Sequence, residues 1–504
     1  MLRPNREHRH SLSDVAAQVP AARLVGDGLA AAVSGLALAS GQVRPGDLFV
    51  ALPGAKTHGA RHAAAAAAAG ARAVLTDRAG EALLDVDLPR IVTEDVRAKL
   101  GELAAWFHGH PARQLTVVGI TGTNGKTSTA HLAEAALAAG FGRVALLGTI
   151  SARIDGQEIP SARTTLEAPE LQAAFAAMVE RGVRACVMEV SSHALAQRRV
   201  DGFSFDVAAF TNLTRDHLDY HGSMEDYFAA KAALFAPGRA RRGVVNLEDD
   251  WGRRLAAQAQ IPVETLALDE ADGSEPPDWR VRVGGAKGGA NPFTLIGPDG
   301  REIAAEVALP GAYNVANAAL ALVIAMAAGV DGAAAAAAVA RVRAVPGRME
   351  VVPGPSGGPL VVVDYAHAPD AIAKVLAALR PVTAGRLIAV IGAGGDRDHG
   401  KRELMGRTAG AGADLVFITD DNPRGEDPAA IRAALLAGAG AKASEAPERA
   451  NAIGQAVGAA RPADTVVILG KGHERTIDYG GDLRPHLDAA VAAQVLAEKM
   501  EGSQ

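Results

Sequence analysis

Several stretches of this chain combine residue types that handle phosphate, hard cations and carboxylates. The first is "GITGTNGKTST" at 119–129, which follows an apolar run and opens an amphipathic helical segment. A helix N-terminus presents unpaired N–H groups and a partial positive charge, so it attracts phosphate. Gly122 and Gly125 let the backbone turn around an anion, and Thr123, Asn124 and Ser128 supply short polar neighbours. Lys126 can reach terminal phosphates, and the Thr127 hydroxyl can ligate Mg²⁺. The strict pattern G-x-x-x-x-G-K-[ST] requires glycine at position 120, where Ile120 stands. The loop therefore reads as a variant phosphate cradle, its bland alternative being a glycine-rich turn that caps a helix.

The second stretch, "VMEVSSHALAQRRV" at 187–200, puts Glu189 at the carboxyl end of an apolar strand. A carboxylate opposite a phosphate loop suits a cation that prefers oxygen ligands. In the third, "TNLTRDHLDYHG" at 211–222 runs into "SMEDYFAAKAALF" at 223–235. Taken alone, His217 reads as a structural or surface histidine and Lys231 as a solvated helix lysine. Four apolar runs near the C-terminus end in polar loops: "VVDYAHAPDA" at 362–371, "GAGGDRDHGKR" at 392–402, "TDDNPRGEDP" at 419–428 and "LGKGHE" at 469–474. In open α/β sheets ligands bind at the carboxyl ends of strands, so these loops are where chemistry is expected. A guanidinium such as that of Arg424 binds carboxylate bidentately, although "DDNPRGEDP" in isolation also reads as a turn before a helix.

The elements that must position these residues form an α/β pattern. The 504 residues suit about three domains of ~150 residues. We expect an N-terminal α/β domain over 1–111, a central parallel-sheet domain over 112–345 and a Rossmann-like domain over 346–504. Strands are expected at 46–52, 115–120, 144–150 and 184–190, with helices at 95–108 and 168–181; the segment 269–310 reads as loops and an antiparallel hairpin. Continuous apolar strands flanked by helices imply a parallel sheet buried on both faces. The alanine runs at 63–69 and 333–340 need no explanation beyond helix propensity. A net charge of −6 without a basic run argues against nucleic-acid binding. The single cysteine, Cys186, lies in an apolar run and reads as a buried hydrophobe. The polar start and the absence of a long apolar span point to a cytoplasmic protein without membrane contact.

Together and in this order, the motifs resemble the Mur ligases, the ATP-dependent amide ligases of peptidoglycan precursor synthesis. The likeness covers about residues 34–490. It implies ATP bound by residues 122–128, Asn317, Arg348 and Asp364, with Asn317 at adenine, Arg348 at the phosphates and Asp364 at the ribose. It implies two Mg²⁺ ions held by Thr127, Glu189, His217 and Lys231, the lysine modified by CO₂ to a carbamate. That modification turns an ammonium of ordinary pKa ~10.4 into an anionic oxygen ligand. UDP-N-acetylmuramoyl-L-alanyl-D-glutamate would meet Leu38, Ser40, Ala55, Lys56, Thr57, Arg163, Thr164, Thr165, Ser191, Gln197 and Arg199, with His193 nearby. Ala39 and Gly41 stand where relatives carry Asp and Arg around that serine, and Arg163 where they often carry Asn. The "DNPR" run is the mark of the branch that adds meso-diaminopimelate. The acceptor would lie on Arg397, Asp421, Asn422, Pro423, Arg424, Gly470 and Glu474.

The implied reaction phosphorylates a carboxylate with ATP and lets an amine attack the acyl phosphate; no covalent nucleophile on the enzyme is needed. Lys126, Glu189, His217 and Lys231 would be the catalytic set. ATP contacts from two domains imply closure over the nucleotide, and a monomer is expected. Two other readings compete: a ligase of the same family with a lysine or folylpolyglutamate-type acceptor, and a non-catalytic nucleotide-binding regulator.

Overall fold

The protein is described here from a computed structural model. It describes residues 2–501 except 28–29, 55–56, 151, 155, 160–162, 269–275, 286–289, 355–356 and 397. Ala55, Lys56 and Arg397 therefore lie outside the described residues.

Three sheets organise the chain. The N-terminal one has five strands, with Gly35–Ala37, Asp47–Val50, Ala73–Asp77 and Arg90–Thr93 parallel and Arg23–Val25 antiparallel at the edge. Helix Val96–Phe107 packs Leu100, Leu103 and Phe107 into the core beneath that sheet.

The central sheet has eleven strands. Seven are parallel, in the order Val144–Leu147, Ala185–Glu189, Thr116–Thr121, Phe205–Phe210, Ala240–Asn246, Val263–Leu268 and Trp279–Val283. The four strands Val144–Leu147, Ala185–Glu189, Thr116–Thr121 and Phe205–Phe210 are almost wholly apolar and buried, as a sheet covered on both faces requires, whereas Trp279–Val283 exposes Arg280 and Arg282. Antiparallel strands finish both edges; Asn291–Ile296 and Glu302–Val307 form the hairpin expected in the 269–310 segment. From strand Thr116–Thr121 the chain crosses through helix Lys126–Phe141 to Val144–Leu147 on one side, and later reaches Phe205–Phe210 on the other. Strand Thr116–Thr121 is thus the switch point of the sheet, where a ligand crevice opens at the carboxyl ends. Helices Ala312–Ala327 and Gly332–Val339 pack against helix Lys126–Phe141 and close that face.

The third sheet runs Glu350–Val351, Leu360–Asp364, Thr465–Leu469, Leu387–Ile391, Leu415–Ile418 and Ala443–Glu445, parallel apart from the first. All four C-terminal motif loops leave the carboxyl ends of its strands. No helix among the described residues is long and apolar enough to cross a membrane.

Candidate active site

The loop after strand Thr116–Thr121 is built so that backbone surrounds an anion. Gly122 has φ +144°, and a Cβ there would sit 1.9 Å from Thr211 Oγ1. Gly125 is the N-cap of helix Lys126–Phe141, with φ 83° and no side-chain cap. The N-cap residue therefore supplies no capping side chain to the first turn, which suits phosphate. Asn212 holds the loop's far side: its Oδ1 accepts from Asn124 N at 2.9 Å, and its O accepts from Thr123 N at 2.9 Å. Lys126 Nζ donates to Gly122 O and Thr123 O, both at 2.8 Å. Burial lowers the Lys126 pKa, against the attraction of Glu189 and Asp216.

Glu189 ends the neighbouring strand and is buried. Its Oε2 accepts from Thr127 Oγ1 at 3.0 Å, and its Oε1 accepts from Thr149 N at 2.8 Å. The Thr149 hydroxyl lies 3.0 Å from both Glu189 Oε2 and Thr164 Oγ1. Thr165 Oγ1 donates to Glu189 O at 2.9 Å and accepts from Ser191 N at 3.1 Å. Ser191 then caps helix Ser192–Ala196, and Arg199 Nη1 donates to Thr165 O at 3.2 Å while its guanidinium binds Gln197 Oε1. One connected polar cluster therefore contains Thr127, Glu189, Thr164, Thr165, Ser191, Gln197 and Arg199. Thr149 is the junction of that cluster and carries no recognisable motif.

Lys231 is not the solvated lysine that its helix position suggests. It is 1% exposed, its Nζ donates to Gly122 O at 2.8 Å, and it lies 4.6 Å from the Tyr227 ring centroid. Burial, with Lys126 close by, drives its pKa well below the ordinary lysine value. His217 adopts φ 54° at the start of helix Leu218–His221, with its ring 5.0 Å from that of His193 and 6.0 Å from that of Tyr227. Burial brings its pKa down to about 3, so it is a neutral imidazole with a lone pair to offer. No group of three His, Cys, Asp or Glu among the described residues is spaced to hold a metal. The donors fall in two partial sets: Thr127 with Glu189, both hard oxygens suited to Mg²⁺, and His217 with Lys231. The second set fits Mg²⁺ only if Lys231 carries an oxygen donor.

The C-terminal domain reaches across to this cluster. Arg348 Nη2 donates to Thr127 Oγ1 at 3.2 Å, and its guanidinium carbon lies 4.4 Å from the Tyr365 ring centroid. Asp364 accepts from Met349 N at 2.7 Å and from Ala366 N at 2.8 Å, so it ties the Arg348 segment to strand Leu360–Asp364. Ala368 is the N-cap of the helix that follows, Pro369–Leu379. His367 Nδ1 donates to Tyr365 O at 2.8 Å, and Nε2 sits 3.9 Å from Asp216 Oδ2. Burial would raise the Asp216 carboxyl, but His367, His217 and Lys401 hold its pKa at about 2. Asn317 lies behind the loop on helix Ala312–Ala327, with its Oδ1 accepting from Thr129 Oγ1 at 3.2 Å.

On the far side of Tyr365 the remaining loops meet. Asn422 Nδ2 donates to Glu474 Oε2 at 2.8 Å, and Tyr365 OH lies 3.4 Å from Glu474 Oε1. Gly470, at φ +111°, would drive a Cβ to 2.6 Å from Asp421 Oδ2. Arg424, which follows Pro423, has φ 54°; its N donates to Asp478 O at 2.9 Å and its Nη1 to Gly395 O at 2.7 Å. Lys471, unmarked by the sequence reading, is buried among these groups. In the N-terminal domain, Leu38 and Ser40 flank the entry to a short turn and Thr57 is exposed. The nearby Gln42 donates to Glu170 Oε1 at 3.3 Å, and Glu170 Oε2 lies 3.8 Å from Arg163 Nη1.

Family models for the Mur ligase family catalytic domain, the Mur ligase middle domain and the Mur ligase glutamate ligase domain match residues 32–108, 120–325 and 347–472. A relative from Streptomyces coelicolor is 49% identical over 100% of this chain and 98% of its own length. The chain is a Mur ligase. That relative is named UDP-N-acetylmuramoyl-L-alanyl-D-glutamate–2,6-diaminopimelate ligase, as is one from Corynebacterium glutamicum, 48% identical over 88% of each chain. A solved structure bearing the same enzyme name covers 98% of this Mur ligase and 99% of that chain, with 33% identity and a TM-score of 0.66. A folylpolyglutamate synthase from Mycobacterium tuberculosis shares the fold, with a TM-score of 0.60 at 23% identity over 73% of this chain and 90% of that one.

Proposed function

We propose that this Mur ligase is an ATP-dependent amide ligase that joins meso-2,6-diaminopimelate to UDP-N-acetylmuramoyl-L-alanyl-D-glutamate in peptidoglycan precursor synthesis. The observation that carries this reading is the convergence of two polar clusters across one domain boundary. Lys126, Thr127 and Glu189 form one, Asn422, Arg424 and Glu474 the other, and Arg348 and Tyr365 join them. A carboxylate is a poor electrophile toward an amine. Moving the γ-phosphoryl group of ATP onto the D-glutamate γ-carboxylate gives an acyl phosphate and ADP. An acceptor amine then attacks the carbonyl carbon, phosphate leaves, and the amine proton goes to solvent or a nearby base.

The chain's own residues supply positioning and electrostatics, the main demand of phosphoryl transfer. In this reading Lys126 and Arg348 face the phosphates, Asn317 the adenine and Asp364 the ribose side. Thr127 and Glu189 would hold one Mg²⁺, and His217 and a carbamylated Lys231 a second; these ions offset charge on the transferring group. Lys231 suits carbamylation because only a neutral amine adds to CO₂, and its lowered pKa favours that form. Thr164, Thr165, Ser191, Gln197 and Arg199 would line the path of the UDP-linked substrate, with Leu38, Ser40 and Thr57 at its nucleotide end. The domains would divide near 112 and 346. We further propose a cytoplasmic monomer, because the nucleotide substrates are cytoplasmic and both clusters lie within one chain.

The acyl phosphate is tested with substrate carrying ¹⁸O in the D-glutamate carboxylate. One labelled oxygen per turnover should appear in inorganic phosphate; unlabelled phosphate would rule the intermediate out.

A further inference from the structure

Lys471 lies in the loop after strand Thr465–Leu469, and its side chain is 0% exposed. Its Nζ donates to Asn422 Oδ1 at 3.0 Å and to Glu474 Oε2 at 2.8 Å, and lies 4.0 Å from Asp421 Oδ1. Asp478 N donates to the same Asn422 Oδ1 at 3.0 Å. Two donors on that oxygen decide which way the amide points, so Nδ2 is turned to Glu474 Oε2. Glu474 Oε2 thus accepts two N–H groups, whereas Oε1 has the Tyr365 hydroxyl at 3.4 Å.

We propose that Lys471 is the positioning residue that makes the acceptor pocket select an amino acid with a second ammonium–carboxylate end. It fixes the Asn422 amide and keeps Glu474 anionic. Oε1 is then presented to the acceptor's far ammonium while Arg424 takes the neighbouring carboxylate. The inference rests on the ligase reading above. Its physical basis is charge balance around a buried ammonium: the Lys471 side chain is 0% exposed and that of Glu474 30%. Burial alone would raise the Glu474 carboxyl, but the charge and hydrogen bond of Lys471, with help from Asn422 and His473, hold it below the usual range. Asp421, Tyr365 and Arg449 are the other ionisable groups near it. Without Lys471 the two carboxylates lose their shared counter-charge. Glu474 then takes up a proton at higher pH, and a neutral carboxyl grips an ammonium poorly.

The test uses the full-length enzyme with ATP, the UDP-linked dipeptide and meso-diaminopimelate. For Lys471→Met, KM for diaminopimelate should rise about 100-fold, the range expected when one partner of a buried charge pair is removed. Its kcat should stay within about fivefold of wild type and KM for ATP should not move, because the phosphate loop is untouched. The acidic limb of kcat/KM for diaminopimelate should shift to higher pH. Glu474→Gln should lose that limb, and the double variant should match Glu474→Gln alone, since Lys471 acts through Glu474. Equal losses in both KM values, an unmoved acidic limb, or additive losses in the double variant would overturn the inference. The double variant removes the charge pair together, so it decides the matter even where Lys471→Met does not fold. A wild-type enzyme that accepts L-lysine as readily as diaminopimelate would instead sink the ligase reading itself.

Discussion

At the scale of single residues, Lys231 shows how context changes chemistry. Its Nζ and that of Lys126 donate to one carbonyl oxygen, Gly122 O, each at 2.8 Å. Two ammonium groups on one acceptor repel, and burial adds to the cost. Stability linkage follows from the sign. The folded pKa of Lys231 is below its unfolded value, so between them the unfolded chain binds the extra proton and stability rises with pH. In metal-free, CO₂-free buffer, Lys231→Met should raise stability at neutral pH by about 1 kcal/mol, read as a higher melting temperature. It should also lose the Lys231 share of the rise toward alkaline pH. The same variant should abolish ligation, and a ¹³C carbamate resonance seen in wild-type enzyme under labelled bicarbonate should be missing. A fully active variant would refute the carbamate role. Thr149→Val keeps the backbone bond to Glu189 but deletes the hydroxyl that bridges Glu189 and Thr164. Partners behind a metal ligand typically matter 10–100-fold, so kcat should fall by about that factor with the fold intact. An unchanged kcat would remove Thr149 from the site.

At the scale of elements, the phosphate loop stands on one strand, one helix and two glycines. Gly122→Ala places a methyl 1.9 Å from Thr211 Oγ1 at φ +144°, so the loop must move. ATP affinity should drop more than about 100-fold, and stability should fall by about 2–4 kcal/mol. Calorimetry with a non-hydrolysable ATP analogue reads the first and urea unfolding the second; near-native ATP binding would show that the turn is not the cradle. This loop was legible because strand, glycines, lysine and helix follow one another locally. So was the place of Glu189 at the end of an apolar strand and of Arg424 in the loop after one. The partners of these residues were not legible. Thr149 meets Glu189 across 40 residues and Lys471 meets Asn422 across 49, through sheet pairing that no local pattern encodes. Lys231 sits on helix Met224–Ala232, whose acidic first turn reads as solvent-facing, and only tertiary packing buries it. In the central sheet the hairpin Asn291–Ile296 and Glu302–Val307 was legible, whereas the antiparallel edge Ala152–Ile154 and Gln157–Ile159 carries no local signal in the sequence.

At the scale of the molecule, four polar contacts among the described residues join the central and C-terminal domains. They are Arg348 to Thr127, His473 to the Thr149 backbone, His367 to Asp216 and Arg215 to Asp398. Each is polar and small, so together they bias a rigid-body equilibrium that ligands can shift. Scattering in solution should show a smaller radius of gyration when a non-hydrolysable ATP analogue and the UDP-linked dipeptide are both present than in the free enzyme. Superimposable curves would count against closure.

We propose that the phosphate loop activates a carboxylate for an acceptor read by Arg424 and Glu474. A purified enzyme given ATP, UDP-N-acetylmuramoyl-L-alanyl-D-glutamate and either meso-diaminopimelate or L-lysine tests it most directly. A site built around a charged group rejects an analogue lacking it strongly, so kcat/KM should favour diaminopimelate by about 10³ or more. Arg424→Ala should erase most of that preference. Phosphate release that is independent of diaminopimelate, or equal with L-lysine, would contradict that acceptor role.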